Sequence, residues 1–470
     1  MKMKIRPLAL YLTIAATLSA CVVGKKYNRP ETAMPEQFRE QIVLAGDTTI
    51  VAWKIFFKDP LLVTLIDSAL RRNNEVATAV LTLEQLNLSL KQAKLSILPS
   101  VNLLSSATRN YLSDNSLNGS LAGQVTGGGN FLDDYSSSLS LSWEADIWGK
   151  AAMRTDGARA DYLGQRENVR AVKTRIISQV AQAYYNLITL DEQLRIADKN
   201  VSLSDSTLSM VNLQFSSGQV TSLAVEQIKA QKNTAELLVP LTRQNIVIQE
   251  NALSILCGRY PNDVERTGHV ELPASNAFSA GVPAQLLSRR PDIKVAEYAL
   301  VSANAKTGLA KAAMYPSFNI TAQSGANSFR ASSWFNLPSS IFHNLGVNLT
   351  QPLFQRKELS TNYKVARLEQ EKSVIQFKQA VLNAVGEVSN ALSQSKHTDE
   401  RLEIVLRKTA ALKKANTNAL MLYRSGMATY LEVITAQNNA LQNDLEAISI
   451  KKDKLNALTD LYRALGGGLN

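Results

Sequence analysis

The sequence predicts an α+β membrane protein built from two structural repeats, with a few short strands set against very long helices. Three observations carry this prediction. A series of parts recurs about 210 residues further along the chain, four short segments alternate apolar with small polar residues, and two stretches of about 65 residues lack proline.

The repeat is read residue by residue. Leu70-Arg71-Arg72-Asn73-Asn74-Glu75-Val76 aligns with Leu287-Ser288-Arg289-Arg290-Pro291-Asp292-Ile293, and the same offset carries Ala93-Lys94 onto Ala310-Lys311 and Pro99-Ser100 onto Pro316-Ser317. A shorter offset then sets Leu139, Leu141 and Trp148-Gly149-Lys150 on Leu345, Val347 and Phe354-Gln355-Arg356, and Ser217-Gly218 on Ser425-Gly426. Each half reads helix, strand, loop, strand, very long helix, Gly turn, helix, and loop length accounts for the change of offset.

Lys2, Lys4 and Arg6 precede an apolar run from Leu8 to Leu18 that is too short to span a bilayer, the pattern of an export signal. Leu18-Ser19-Ala20-Cys21 sets small residues directly before a cysteine, as lipoprotein processing requires, so residues 1–20 are expected to be removed and Cys21 acylated. Val22 stands where an aspartate would signal retention at the inner membrane, which favours the outer membrane. Cys257 then has no disulfide partner and reads as a small buried apolar residue.

Several function classes are excluded. His269, His343 and His397 show no ligand spacing, and the chain has no P-loop, GxSxG or HExxH, so neither a metal site, a cofactor nor an enzyme is expected. Formal net charge is +11; removing Lys2, Lys4 and Arg6 leaves 48 basic against 40 acidic residues, or +8. The basic residues are interspersed with Glu and Asp along helices, which argues against nucleic acid as a partner.

The strand segments come next. Ser138-Leu139-Ser140-Leu141-Ser142-Trp143 and Leu345-Gly346-Val347-Asn348-Leu349-Thr350 alternate strictly, Phe318, Ile320 and Ala322 alternate with Asn319, Thr321 and Gln323, and Val101, Leu103, Ser105 and Ala107 form a weaker fourth example. One face is apolar and the other small and polar, as in a membrane β-barrel, and each segment is near the roughly 9–11 residues a tilted strand needs. The connecting residues 108–135 and 324–340 are rich in Gly, Ser and Asn and suit the extracellular side. Four strands cannot close a barrel, and an open edge in lipid leaves backbone groups unpaired, so oligomerisation is obligatory. Two copies would make a narrow barrel filled by side chains; three would leave room for a pore.

The proline-free stretches read as single helices of roughly 100 Å, too long for a bilayer and therefore expected in the periplasm. Phe377, Val381, Val385, Val388 and Leu392 recur at spacings of three and four, with Ala380, Ala384 and Ala391 between them, as a coiled-coil-like seam requires. Gly218 and Gly426 are the expected turns at the helix tips, followed in both halves by Thr, Leu and Val: Thr221, Leu223, Val225 and Thr429, Leu431, Val433. Return helices are expected from about 221 to 256, with Pro240 as a kink, and from 429 to 465; Pro291 suits the first turn of a helix.

Cys21-Val22-Val23-Gly24 with Tyr27 and Arg29-Pro30, then Trp53, Phe56-Phe57, Asp59-Pro60-Leu61 and Leu65, resemble the opening of the TolC-like outer membrane factor family in its lipoprotein branch. The strongest likeness is Leu287-Ser288-Arg289-Arg290-Pro291-Asp292-Ile293 with Ala296-Glu297, Ala310-Lys311 and Tyr315-Pro316-Ser317. The resemblance covers essentially the whole mature chain. It implies a homotrimer with a 12-stranded barrel, four strands from each chain, continued by a periplasmic α-helical barrel with a mixed girdle around its middle. It also implies a passive exit duct for drugs or other small molecules, docked to a periplasmic adaptor and an inner-membrane transporter of the RND type. It further implies a periplasmic constriction at Tyr423, Leu431 and Glu432, with Thr435 where an aspartate is often found. No cofactor beyond the lipid on Cys21 is implied. The alternatives are a type I protein-secretion duct of the same fold and a lipid-anchored structural coiled coil.

The expected domain plan is a signal peptide (1–20), a lipidated equatorial segment (21–70) and a first repeat (71–260) with strands near 100–108 and 136–145 and a helix near 150–215. An inter-repeat linker (261–290) leads to a second repeat (291–470), with strands near 317–324 and 342–351 and a helix near 357–423.

Overall fold

The computed structural model describes residues 23–32, 34–39, 52–113, 115–119, 121, 131–268 and 289–467. The signal peptide, Cys21, Gly127-Gly128-Gly129 and most of the linker lie outside them. The chain forms two compact units: one comprises Gln85–Leu163, Glu297–Ile375 and the residues up to Pro30, the other Glu31–Glu84, Gly164–Ala296 and Gln376 onward.

The first unit holds a four-stranded antiparallel sheet in sequence order: β1 (Ser100–Tyr111), β2 (Phe131–Glu144), β3 (Ser317–Ser328) and β4 (Ile341–Thr350). Strict alternation brings apolar residues opposite one another: Leu103 faces Leu139, Leu141 faces Ala322, Trp143 faces Ile320, Ile320 faces Val347 and Phe318 faces Leu349. Asn102, Ser140, Gln323 and Asn344 line up on the opposite face, where Gln323 Nε2 donates to Ser138 Oγ at 2.7 Å. β1 and β2 run further into the expected loop than alternation suggests. The cause lies in cross-strand pairs that a one-strand pattern does not contain: Arg109 with Asp133 at 2.6 Å, and the rings of Tyr111 and Phe131 6.1 Å apart.

The second unit is helical, and four of its helices extend into the first. Short α1 (Trp53–Phe56) leads to α2 (Pro60–Arg72), capped by Asp59, whose carboxylate accepts from Leu61 N at 2.9 Å and also from Tyr184 Oη and Thr267 Oγ1 at 2.7 and 2.6 Å. Burial pushes the Tyr184 phenol up to about 12. α3 (Asn74–Leu95) follows, then the long α4 (Lys150–Ser216) with its return helix α5 (Ser222–Leu256). α6 (Pro291–Ala312), the long α7 (Glu358–Arg424) and α8 (Tyr430–Ala464) repeat the series. Both long helices have 67 residues, about 100 Å at 1.5 Å each. α5 continues across Pro240. Phe377, Val381, Val388 and Leu392 are buried on α7, joining Ile176, Val180, Tyr184 and Leu187 of α4 in one core.

The repeat explains two locks inside this core. Asn73 donates from Nδ2 to the Leu256 carbonyl at the end of α5 (2.9 Å), and its aligned partner Arg290 donates to the Ala464 carbonyl at the end of α8 (3.1 Å). Each lock lies beside a left-handed glycine, Gly258 (φ 65°) and Gly466 (φ 87°), on which a Cβ would stand 2.2 Å from Arg72 O and 3.1 Å from Arg289 O. Cys257 is fully buried, with Sγ 3.7 Å from Leu65 O, and burial pushes its thiol up.

Candidate functional site

Two places carry the candidate function, one in each unit. In the first unit the common apolar face of the sheet is exposed, Leu345 to 80% and Leu103 to 73%. Aromatic residues mark both ends. At the helix end Trp143 donates to Ile97 O (2.7 Å) and Trp148 to Pro316 O (2.6 Å), while Trp148 rests 5.0 Å from the Tyr315 ring. At the loop end Tyr135, Trp334 and Phe335 form a chain of ring contacts, and Arg109 sits 4.3 Å over the Phe131 ring. From Trp143 to Tyr135 and Phe131 is roughly 26–40 Å along the strand, which a tilt of about 40° reduces to some 20–30 Å, bracketing the ~25 Å apolar band of a transmembrane barrel. No described helix is long and apolar enough to cross a membrane.

In the second unit the helix pairs end in two turns. Gly218 and Gly426 both have φ 74°, with no neighbour within 4 Å of an added Cβ, so glycine is needed for the backbone conformation and not for space. Around the turns Val211, Ala224, Ile228, Tyr423 and Val433 form a small core of their own. The family resemblance groups Tyr423 with Leu431, Glu432 and Thr435; the structure separates them. Tyr423 is 4% exposed, its ring in that core and its hydroxyl donating to Gln214 Oε1, and burial raises its pKa. Leu431, Glu432 and Thr435 share the exposed side of α8, opposite buried Val433 and Gln437.

Glu432 has a local partner. Its carboxylate accepts from the Thr429 N–H at 2.6 Å and from Thr429 Oγ1 at 2.5 Å, and these bonds hold its pKa below the usual carboxylate range. Its counterpart in the first repeat is Ala224, and that of buried Tyr423 is the half-exposed Phe215. The polar bonds that cross the tip are therefore unlike in the two halves: Tyr423 to Gln214, Tyr430 to Gln227 at 2.5 Å, and Gln231 to Asn438. Gln214, Gln227 and Asn438 escape sequence reading, since a lone amide on a long polar helix carries no signal. Cys21 lies outside the described residues. Among the described residues no cluster of His, Cys, Asp or Glu could hold a metal ion.

The profile of the family described as "Outer membrane efflux protein" matches residues 65–259 and 282–467, most of the chain. The "Cation efflux system protein CusC" of Escherichia coli O6:H1 is 29% identical over 460 residues, covering 97% of each chain. The "Probable outer membrane lipoprotein SilC" of Salmonella typhimurium is 28% identical over 459 residues, covering 96% of each. Among solved structures, the open state of the Neisseria gonorrhoeae MtrE outer membrane channel superposes with a TM-score of 0.82 at 26% identity, over 96% of this chain and 99% of that one. The chain belongs to the outer membrane efflux protein family and is an exit duct of the bacterial outer membrane, not an enzyme.

Proposed function

We propose that three copies pair their open β1 and β4 edges into a twelve-stranded barrel, and that the assembled duct takes small molecules from a periplasmic adaptor and an inner-membrane transporter. The observation that carries this reading is the four-stranded sheet with one continuous apolar face and two open edges. In lipid those edges must be paired by further copies. Residues 71–260 and 291–470 are read as the two repeats, joined by the linker 261–290, with residues 21–70 as the anchored segment ahead of them. The duct is passive, and the partner transporter supplies the energy. Planar-bilayer conductance of the purified protein, with its oligomeric mass taken in the same detergent, tests this. Trimers forming ion-conducting channels are expected; monomers without conductance would overturn it.

Cys21 is read as the acylated residue that anchors the mature chain. Cys21→Ala is expected to abolish incorporation of labelled palmitate while trimers still form, and unchanged labelling would remove the assignment. The similarity to SilC, named a probable outer membrane lipoprotein, supports this reading.

Leu431, Glu432 and Thr435 are read as the constriction, with Glu432 as its acidic ring, because they are the exposed side chains of α8 at the tip. Three carboxylates crowding a narrow mouth attract cations and repel anions. Glu432→Gln is expected to lower cation preference in bilayers several-fold, read as a shift in reversal potential under a salt gradient. The pH dependence has a definite sign. A carboxylate whose folded pKa is depressed contributes cap stability that is present above its unfolded pKa, near 4.5, and is lost as pH falls through the folded value. Cation preference is therefore expected to persist at pH 5 and to fade only in stronger acid.

A further inference from the structure

The described segment nearest Cys21 lies in a groove of the first unit and does not hang free. Val23 N approaches Trp148 O at 3.5 Å, Asn304 Nδ2 donates to Lys25 O at 3.0 Å, and Glu297 accepts from Tyr27 Oη at 3.2 Å and from Arg29 through a fork of 2.6 Å bonds. Gly24 crosses Gly308 so closely that a Cβ on either would stand 2.8 and 2.5 Å from Met153 Sδ. Beside this strap is a cavity of about 360 Å³, lined among others by Lys25, Lys26, Tyr27, Asp156, Arg159 and Tyr298.

The charges around the cavity are unspent. Arg29 is paired with Glu297, Lys306 with Asp161 and Lys150 with Glu144, whereas Lys25, Lys26 and Arg159 make no ion pair among the described residues. Asp156 is the one carboxylate facing these three cations in the lining. The depth is set by the chain. Val23 is held to Trp148, four residues beyond the end of β2, and Met153, which touches the strap, stands in the first turn of α4, which carries Arg159. The cavity thus begins within a helical turn or two of the aromatic band, the level of the lipid phosphates.

We infer that this cavity holds the phosphate of a glycerophospholipid of the periplasmic leaflet, with Lys25, Lys26 and Arg159 as its cationic ligands and the strap as one wall. The site uses the outer-membrane reading for its depth, and its ligand is separate from the acyl chains on Cys21. Lysines supply point charges and Arg159 a planar fork, a combination suited to a phosphodiester with its acyl chains directed along the sheet.

The test is native mass spectrometry of the full-length acylated protein, with dioleoylphosphatidylglycerol and dioleoylglycerol as probes and channel conductance measured on the same samples. Retention of the phosphatidylglycerol, and not of the diacylglycerol, is expected. Lys25→Gln/Lys26→Gln/Arg159→Gln should lower retention roughly 100-fold, at about fivefold for each cation removed, while oligomer mass and conductance stay unchanged. Asp156→Asn should raise retention, and Cys21→Ala should leave it as it is. Equal retention by the triple variant, or equal retention of diacylglycerol, would overturn the inference, and displacement by millimolar inorganic phosphate would make it a site for free phosphate. Loss of conductance with lipid retained would count against the duct reading and leave this one standing.

Discussion

Arg290→Ala is expected to destabilise the folded chain by about 3 kcal/mol, seen as a lower guanidinium midpoint for loss of helical signal. The guanidinium is 4% exposed and donates to Asp292 at 3.0 and 2.6 Å, to Glu387 at 2.8 Å and to the Ala464 carbonyl at 3.1 Å. Burial alone would lower its pKa, but the two carboxylates outweigh that and raise it. Burial works on Asp292 in the opposite direction, and the bonds from Arg290 win there too, holding that carboxyl below the usual range. Deleting Arg290 takes its bonds from both carboxylates and from a helix-end carbonyl, leaving Asp292 the Ile293 N–H at 3.0 Å and Glu387 only the more distant Arg463 at 3.7 Å. Breaking a buried pair costs roughly 3–5 kcal/mol, and the lower figure applies because the Asp292 and Glu387 side chains are 46% and 38% exposed. Arg290→Lys keeps the charge, lacks the fork and should fall between the two. The stabilisation is present above the unfolded carboxylate pKa and is lost as pH falls through the depressed value of Asp292. A midpoint within experimental error of the parent protein would show that the lock contributes nothing.

Tyr423→Ala is expected to increase channel conductance severalfold, because the ring fills the small core that holds the two turns together. Removing a fully buried aromatic side chain costs about 3–5 kcal/mol in a closed core, and this core has few other members, so the loss should loosen the tip locally and leave the main core folded. Tyr423→Phe separates the two contributions. It keeps the ring and deletes the bond to Gln214, a change of about 1 kcal/mol, and should raise conductance much less. Parent-like single-channel currents from Tyr423→Ala would exclude the ring from closure.

Legibility followed the range of the physics. Strands and long helices depend on side-chain period and on the absence of proline, both local properties, so Leu139-Ser140-Leu141 and the seam from Phe377 to Leu392 could be read directly. The extra length of β1 and β2 depends on Arg109 meeting Asp133 across the sheet, and one strand does not contain that information. Tyr423 shows the same limit at the tip. The family resemblance marks it as a constriction residue, yet its helical phase turns it into the core, while Leu431, Glu432 and Thr435 face outward.

By itself the sequence determined the repeat and the two kinds of element, since periodicity is written along the chain, and its strand number is the ground on which further copies are proposed. Only the tertiary structure decided what the repeated positions do. Asn73 and Arg290 occupy aligned sites with different side chains, and each ties a helix start to a helix end some 170–180 residues away. The tip bonds, by contrast, depart from the repeat, because Tyr423 and Tyr430 found amide partners that Phe215 and Ser222 could not bind in the same way. Such pairings depend on side chains brought together by folding, and their distances in sequence leave no local pattern to read.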